Sequence, residues 1–119
     1  MKLSKIREIL QAEVLVGEGL LDSIEVDAGY ASDLMSDVLA FASPGVLLLT
    51  GLTNIQIFRT AQMLDLQTII FVRGKMPGED LLQLAREVEM PILVSAMSMF
   101  EAAGRLYTGG LSPRAISRN

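Results

Sequence analysis

Two cations around a glycine, Arg73-Gly74-Lys75, are the clearest candidates for chemistry in this sequence. They directly follow the apolar run at residues 68–72, which is typical of a strand buried on both faces. Guanidinium and ammonium groups on a loop after a strand can bind a phosphate or a carboxylate. The alternative is a solvated loop whose charges keep the surface soluble, because no nucleotide-binding glycine pattern accompanies them.

Three carboxylates that lie close together in the chain, Asp27, Asp33 and Asp37, are the second candidate. Such a group can transfer protons or bind a divalent cation. In the structural alternative, Ser32 or Asp33 caps a helix predicted at residues 34–41. Asp37 then lies on the solvated face of that helix. We favour this alternative and expect no acid/base or metal site here.

The sequence contains neither cysteine nor histidine. Thiolate nucleophiles, imidazole catalysis, Ser-His-Asp triads and typical transition-metal sites are therefore excluded for this chain acting alone. The sequence also shows no combination of a nucleophile, a base or metal ligands at a spacing typical of a catalytic site. We expect no catalytic residues, no metal and no cofactor. We therefore expect that the protein is not an enzyme.

The elements that must position the candidate residues are three copies of a strand followed by a helix, at residues 45–64, 67–88 and 91–106. Each unit has a short apolar run followed by apolar residues at helical spacing. The second unit predicts a helix at residues 79–88, whose start is marked by Pro77 and two acids. The third predicts one at residues 97–106, capped by Ser95 or Ser98. The sequence therefore predicts an α/β fold with a mainly parallel sheet. In such sheets, ligands bind where strand ends meet helix starts. The residues predicted at this rim are Thr50, Gly51, Thr53, Asn54, Arg73, Gly74, Lys75, Ser95 and Ser98.

Some of these residues have structural alternatives. Gly51 is typical of a turn, and Asn54 of a helix cap. The methionines nearby are typical of core packing, although methionines can also form an adaptable binding surface. They are Met63, Met90, Met97 and Met99.

The segments outside the three repeated units are predicted to lie at the periphery of the fold. Residues 12–17 and 24–31 are two short β-like segments, and polar and apolar residues alternate in the second, which predicts a wet face or an edge position. Residues 111–119 are expected to be frayed. At residues 1–10, ahead of the first β-like segment, the sequence predicts a short amphipathic helix. Its apolar face carries Leu3, Ile6, Ile9 and Leu10.

Composition limits the class of protein. The 119 residues predict one domain, and 50% hydrophobic but only 5% aromatic residues predict an aliphatic core. A net charge of −4 argues against a nucleic-acid partner. No apolar run is long enough to span a membrane, and Glu8 and Glu13 argue against a mitochondrial leader. We expect a cytoplasmic protein, which the absence of cysteine fits.

Four places in the stretch from about residue 24 to 106 carry a family resemblance. They are residues 26–32, residues 50–54, residues 69–84 with Pro77, and residues 91–95 leading to Phe100-Glu101-Ala102-Ala103. In these places the chain resembles the DRTGG domain, a module found beside CBS domains in some regulatory pyrophosphatases and in the N-terminal part of certain phosphotransacetylases. It is more distantly similar to the N-terminal domain of HPr kinase. The resemblance implies a three-layer α/β/α sandwich. The resemblance covers nearly the whole chain.

The chain departs from the family at the motif residues. Leu52-Thr53 replace the Asp-Arg pair, and only Gly74 matches the Thr-Gly-Gly. A Thr108-Gly109-Gly110 run lies past the last predicted helix and is taken as a chance match. Ser98-Met99-Phe100 keeps only the phenylalanine of an Asp-Thr-Phe. The scaffold is therefore better supported than any ligand site of the family.

Two functions follow as expectations. The first is a non-catalytic regulatory module that forms a homodimer, possessing apolar helix surface for a second copy, and that accompanies a separately encoded enzyme or signalling protein. The second is a sensor that binds a nucleotide or small anion at the rim near Arg73 and Lys75. Neither requires a nucleic acid or a membrane.

Overall fold

The computed structural model describes residues 1–113 and contains one five-stranded sheet. The strands lie side by side in the order β1-β5-β4-β3-β2. Neighbours from β2 to β5 are parallel, whereas β1 pairs antiparallel with β5 at one edge. The predicted mainly parallel sheet is confirmed. The strands are β1 (Glu13–Val16), β2 (Ala28–Ala31), β3 (Val46–Thr50), β4 (Thr68–Phe71) and β5 (Ile92–Val94).

Helices cover both faces of the sheet and make three layers. Helices α2, α3 and α4 pack on one face, and α1 and α5 pack on the other. This arrangement confirms the predicted α/β/α sandwich. A short 3-10 turn, Glu18–Leu20, follows β1. The helices are α1 (Leu3–Leu10), α2 (Met35–Phe41), α3 (Ile55–Met63), α4 (Glu79–Val88) and α5 (Met99–Thr108).

The core explains why the central strands are continuous apolar runs. In β3, Leu48 packs towards α2, α3 and α4, while Leu47 and Leu49 pack towards α1 and α5. Alternate residues of a strand point to opposite faces, so a strand covered on both sides needs apolar residues throughout. The two largest buried side chains, Phe58 and Phe71, pack on the face of the sheet that is covered by α2, α3 and α4.

Two predicted helix starts shift in the structure. Helix α2 begins at Met35 rather than at residue 34, because the Leu34 N–H bonds to Ser32 Oγ at 3.0 Å and Leu34 has extended backbone. Helix α5 begins at Met99 rather than at residue 97, because Ser98 caps it. Asp33 does not cap α2.

The predicted frayed tail is wrong for its first residues. Leu111 is buried, and the Ser112 carbonyl accepts a bond of 3.0 Å from the Gly29 N–H at the outer edge of β2. Pro113 forms a parallel bridge with Gly29. Burial of Leu111 and pairing with the edge strand fix these residues. The rest of the predicted frayed segment, residues 114–119, lies outside the described residues.

The edge position predicted as one alternative for residues 24–31 agrees with the structure, although only Ala28–Ala31 form a strand. Strand β2 lies at one edge of the sheet and β1 at the other. Three of the four apolar residues predicted on the first helix, Leu3, Ile6 and Leu10, are fully buried against the sheet. Within residues 1–113, the helices are all too short or too polar to cross a lipid bilayer.

Candidate functional site

The carboxyl ends of β2, β3, β4 and β5 lie along one edge of the sheet, as parallel pairing requires. The loops after these strands carry the predicted rim. Thr50 ends β3 and Gly51 follows it, Arg73 and Gly74 lie after β4, and Ser95 follows β5. The structure brings Thr50, Gly51 and Arg73 together around a residue that was not predicted there.

That residue is Asp33, which lies after β2. Its Oδ1 accepts a bond of 2.6 Å from the Gly51 N–H and one of 3.2 Å from the Thr50 hydroxyl. Its Oδ2 accepts a bond of 3.0 Å from Nη2 of Arg73. The Thr50 hydroxyl in turn accepts from the Leu52 N–H at 3.1 Å. One carboxylate therefore connects the ends of three neighbouring strands.

The electrostatics keep this carboxylate charged. Partial burial acts to raise the pKa of Asp33, but hydrogen bonds from Gly51, Arg73 and Thr50 and the positive charge of Arg73 outweigh it. The pKa of Asp33 therefore lies below its ordinary value. At neutral pH the rim contains an anion supplied by the chain itself.

The backbone of the loop after β4 positions Arg73. Arg73 and Gly74 both have left-handed backbone, with φ of 57° and 64°. Such a φ is uncommon for a residue with a side chain. Here the Arg73 N–H bonds to the Met97 carbonyl at 2.8 Å, and the Gly74 N–H bonds to the Ser95 carbonyl at 2.9 Å. These two bonds fix the loop against the loop that follows β5.

Gly51 lies under the Arg73 side chain. A Cβ built on Gly51 would overlap the Arg73 guanidinium, so the glycine leaves room for the arginine to reach Asp33. Its φ is not in the left-handed region. The sequence pattern indicates a turn at this glycine, and the structure shows in addition that a charged side chain approaches it closely.

Three other candidates have structural bonds. Ser95 is 1% exposed, and its hydroxyl donates to the Leu10 carbonyl at 2.8 Å and accepts from the Met97 N–H at 3.2 Å. Asn54 caps α3 through the Ile57 N–H, as the structural alternative predicts. Ser98 caps α5. These polar atoms are used within the fold.

The remaining two candidates differ in exposure. Lys75 lies in the turn after Arg73, where its side chain is exposed. Its backbone N–H bonds to the Val72 carbonyl at 3.1 Å. Thr53 lies half-buried in the loop before α3. Of the nine predicted residues, Arg73 and Lys75 therefore combine charge with access to solvent.

The three acids of the alternative cluster do not converge. Asp27 precedes β2 and contacts Gly45 at the opposite end of the sheet from Asp33. Asp37 lies in α2. The pKa of the Tyr30 hydroxyl is raised, mainly because Tyr30 is partly buried and secondly because of the negative charge of Asp37. Within residues 1–113, no group of three acidic side chains is arranged to hold a metal ion.

A second feature is an apolar cleft of about 300 Å³ between β2, α5 and the end of the described chain. Gly29 and Ala31 form its β2 side, and Ala103, Leu106 and Tyr107 form its α5 side. The sequence pattern does not predict this cleft. It depends on Leu111 and Pro113 packing beside β2, which local patterns do not show.

The sequence matches no protein-family model and no curated protein. The fold is similar to a solved structure, that of the CBS and DRTGG domains of the regulatory region of Clostridium perfringens pyrophosphatase complexed with the activator diadenosine tetraphosphate. The TM-score is 0.70 at 17% sequence identity. The match covers 88% of this chain and 45% of that chain, so the present chain spans less than half of its neighbour. The likeness shows a shared fold.

Proposed function

We propose that this chain is a non-catalytic regulatory and interaction module of the DRTGG type. It self-associates and accompanies a separately encoded enzyme or signalling protein. One observation carries the proposal. The Asp33 carboxylate uses the donors of Gly51, Thr50 and Arg73 at the strand ends, where α/β enzymes commonly keep their reacting groups. These donors stabilise the fold instead of a bound substrate.

Two further observations support a regulatory role. The sequence has no cysteine or histidine, which removes the commonest nucleophiles and general bases. The similar structure is itself the regulatory region of a pyrophosphatase. A regulatory module must transmit its state to a partner, and this requires contact surface rather than a catalytic centre.

Self-association is supported by exposed large apolar side chains. Phe100 and Tyr107 on α5 are exposed, as are Leu34, Leu39 and Phe41 in and before α2. Grouped exposure of this kind marks interaction sites in soluble proteins. Sedimentation equilibrium up to high micromolar concentration tests the proposal. We expect a concentration-dependent dimer, and a compact monomer throughout would contradict it.

A second candidate function is a sensor of a nucleotide or other anion at the same rim. It is favoured by the Arg73 side chain, which is 41% exposed and lies beside the exposed Lys75. A phosphate could replace the Asp33 carboxylate on Arg73 and on the Gly51 N–H, since both are donors that bind phosphate. The neighbouring structure contains a bound dinucleotide, diadenosine tetraphosphate.

Calorimetry and thermal-shift measurements against mononucleotides, dinucleotides and inorganic phosphate test this candidate. Arg73→Ala and Lys75→Ala are expected to weaken binding, whereas Asp33→Asn frees Arg73 and is expected to strengthen it. Arg59→Ala, which removes an exposed cation outside the rim, is the matched control. A ligand-induced thermal shift that is unchanged in Arg73→Ala and Lys75→Ala would show that the ligand does not bind at the rim.

A further inference from the structure

The outward side of α5 carries an exposed aromatic stripe. Phe100 is 91% exposed and Tyr107 is 69% exposed. They lie seven residues apart, which places them on the same side of a helix, with Ala103 and Gly104 between them. The opposite side of α5, with Ala102 and Leu106, packs on the sheet. The aromatic stripe therefore takes no part in the hydrophobic core of a single chain.

Gly104 is unexplained by the packing of a single chain. Glycine inside a helix is less favourable than alanine. A Cβ built on Gly104 meets no atom within 4 Å, so nothing in the described chain requires its absence. A glycine with open space above it allows another backbone to approach closely.

We propose that this stripe is a two-fold interface with a second copy of the chain, in which two α5 helices cross antiparallel between Ala103 and Gly104. The proposal rests on the self-association proposed above and names its surface. With the crossing at that point, Phe100 of one copy lies opposite Tyr107 of the other, and the same pair forms again across the two-fold axis. Offset or edge-to-face packing of such aromatic pairs is favourable.

The cleft beside α5 supplies space for this contact. Tyr107 forms part of its wall, together with Ala103 on the same helix. An aromatic side chain of the second copy that approaches Tyr107 therefore also covers the mouth of the cleft. Its about 300 Å³ are lined mainly by apolar atoms, which favours a phenylalanine as the occupant.

The available area suits a dimer. An aromatic side chain carries about 150–250 Å² of surface, so Phe100 and Tyr107 together offer roughly 300 Å² at their observed exposures. A specific interface buries about 800 Å² per partner, of which little more than half is apolar. The two aromatic residues thus provide most of the apolar share, and the cleft margin provides more.

Charge distinguishes this face from the exposed apolar surface on α2. Glu101 and Arg105 form an ion pair along α5, with Nη2 of Arg105 at 2.9 Å from Oε2 of Glu101. An antiparallel crossing brings Glu101 of one copy beside Arg105 of the other, so the margin is self-complementary. The surface with Leu39 on α2 has the opposite property. Helix α2 carries one charged residue, Asp37, and no Lys or Arg, so two copies of α2 would have no opposite charges to pair.

Three variants measured by sedimentation equilibrium test the interface. Gly104→Leu blocks the crossing without removing any contact, and Phe100→Glu places a charge in the aromatic pair. Each substitution acts twice across the axis, so a tenfold loss per contact becomes about 100-fold in the dimer Kd. Leu39→Glu on α2 is the matched control and is expected to leave the Kd within about threefold of the parent value, as surface substitutions usually do.

The outcomes separate this proposal from the general one. Gly104→Leu should unfold at the same or a higher temperature than the parent in the monomeric state, because leucine favours helix. A dimer that survives Gly104→Leu overturns the α5 interface, and one that is lost instead in Leu39→Glu places the interface on α2 and leaves the proposed function intact. A parent chain that is monomeric at high micromolar concentration overturns both.

Discussion

Oδ2 of Asp33 lies 3.0 Å from Nη2 of Arg73, although the two residues are 40 positions apart in the chain. The pair spans from the end of β2 to the loop after β4 and passes over Gly51, at the end of β3. Because the same carboxylate also accepts from the Gly51 N–H, the side chain ties together three strands with neighbouring ends. The strength of this tie can be measured.

Replacing Asp33 by asparagine is expected to lower the free energy of unfolding by about 1 kcal/mol at neutral pH. Hydrogen bonds to charged groups contribute about 1.5–3 kcal/mol, and we expect a loss just below this range because both side chains are 41% exposed and screened by water. Urea denaturation measures the difference. Asp37→Asn, which changes an acid on α2 with no rim contacts, is the control and should cost clearly less.

Acidification should remove the contribution of Asp33. Its pKa is lower in the folded state than in the unfolded chain, so the unfolded state binds more protons between these two values. The stabilisation is fully present above the unfolded pKa of about 3.9 and falls as the pH drops through the folded pKa. Urea denaturation from neutral to acidic pH should show parent and Asp33→Asn converging. A constant difference would show that the charge of Asp33 is not what stabilises the rim.

Gly51→Ala should displace the Arg73 guanidinium from Asp33, because the added methyl group occupies the same space. We expect a loss of about 1 kcal/mol in the parent chain, equal to the loss of the ion pair and its hydrogen bond. In an Arg73→Ala background the methyl group meets no guanidinium, so the same change should cost close to nothing. The double-mutant cycle measures this coupling. Strictly additive effects would argue that Gly51 is needed only for the turn.

Ser95→Ala tests the buried bond between the first helix and the end of the last strand. The substitution leaves the Leu10 carbonyl without its hydroxyl partner in a buried position, and the half-buried Met97 N–H loses its bond to the same hydroxyl. An unsatisfied buried polar group costs about 1–3 kcal/mol. Chemical denaturation should show this loss for Ser95→Ala. Ser23→Ala, which removes an exposed hydroxyl bonded to the Leu20 carbonyl, should change stability much less.

The strand and helix pairs were predictable because their signal is local. Leu47, Leu48 and Leu49 belong to a strand that is covered on both faces, so the apolar run itself indicates the environment. Helix α4 was predicted with its observed bounds, Glu79–Val88, because Pro77 and two acids mark its start. The antiparallel pairing of β1 with β5 was not predicted, since no local pattern encodes which strand a distant segment joins.

The candidate site was predictable in part, for the same reason. Strand ends indicate where a rim must form, and the structure places Thr50, Gly51 and Arg73 there. Asp33 was assigned to a helix cap, because an acid before a helix has the same local pattern in both roles. Only the partners differ, and they lie 18 and 40 positions away. The position of Asp33 directly after a predicted strand was the available signal.

The attachment of the first helix to the last strand has a consequence for biosynthesis. Ser95 bonds to Leu10 across 85 positions, and β1 has β5 as its strand neighbour. A ribosome makes α1 and β1 before β5 and α5, so the docking surface of α1 and β1 is completed only when β5 and α5 emerge. Until then the apolar side of α1 lacks its full cover, and we expect it to be a point of contact for chaperones during translation.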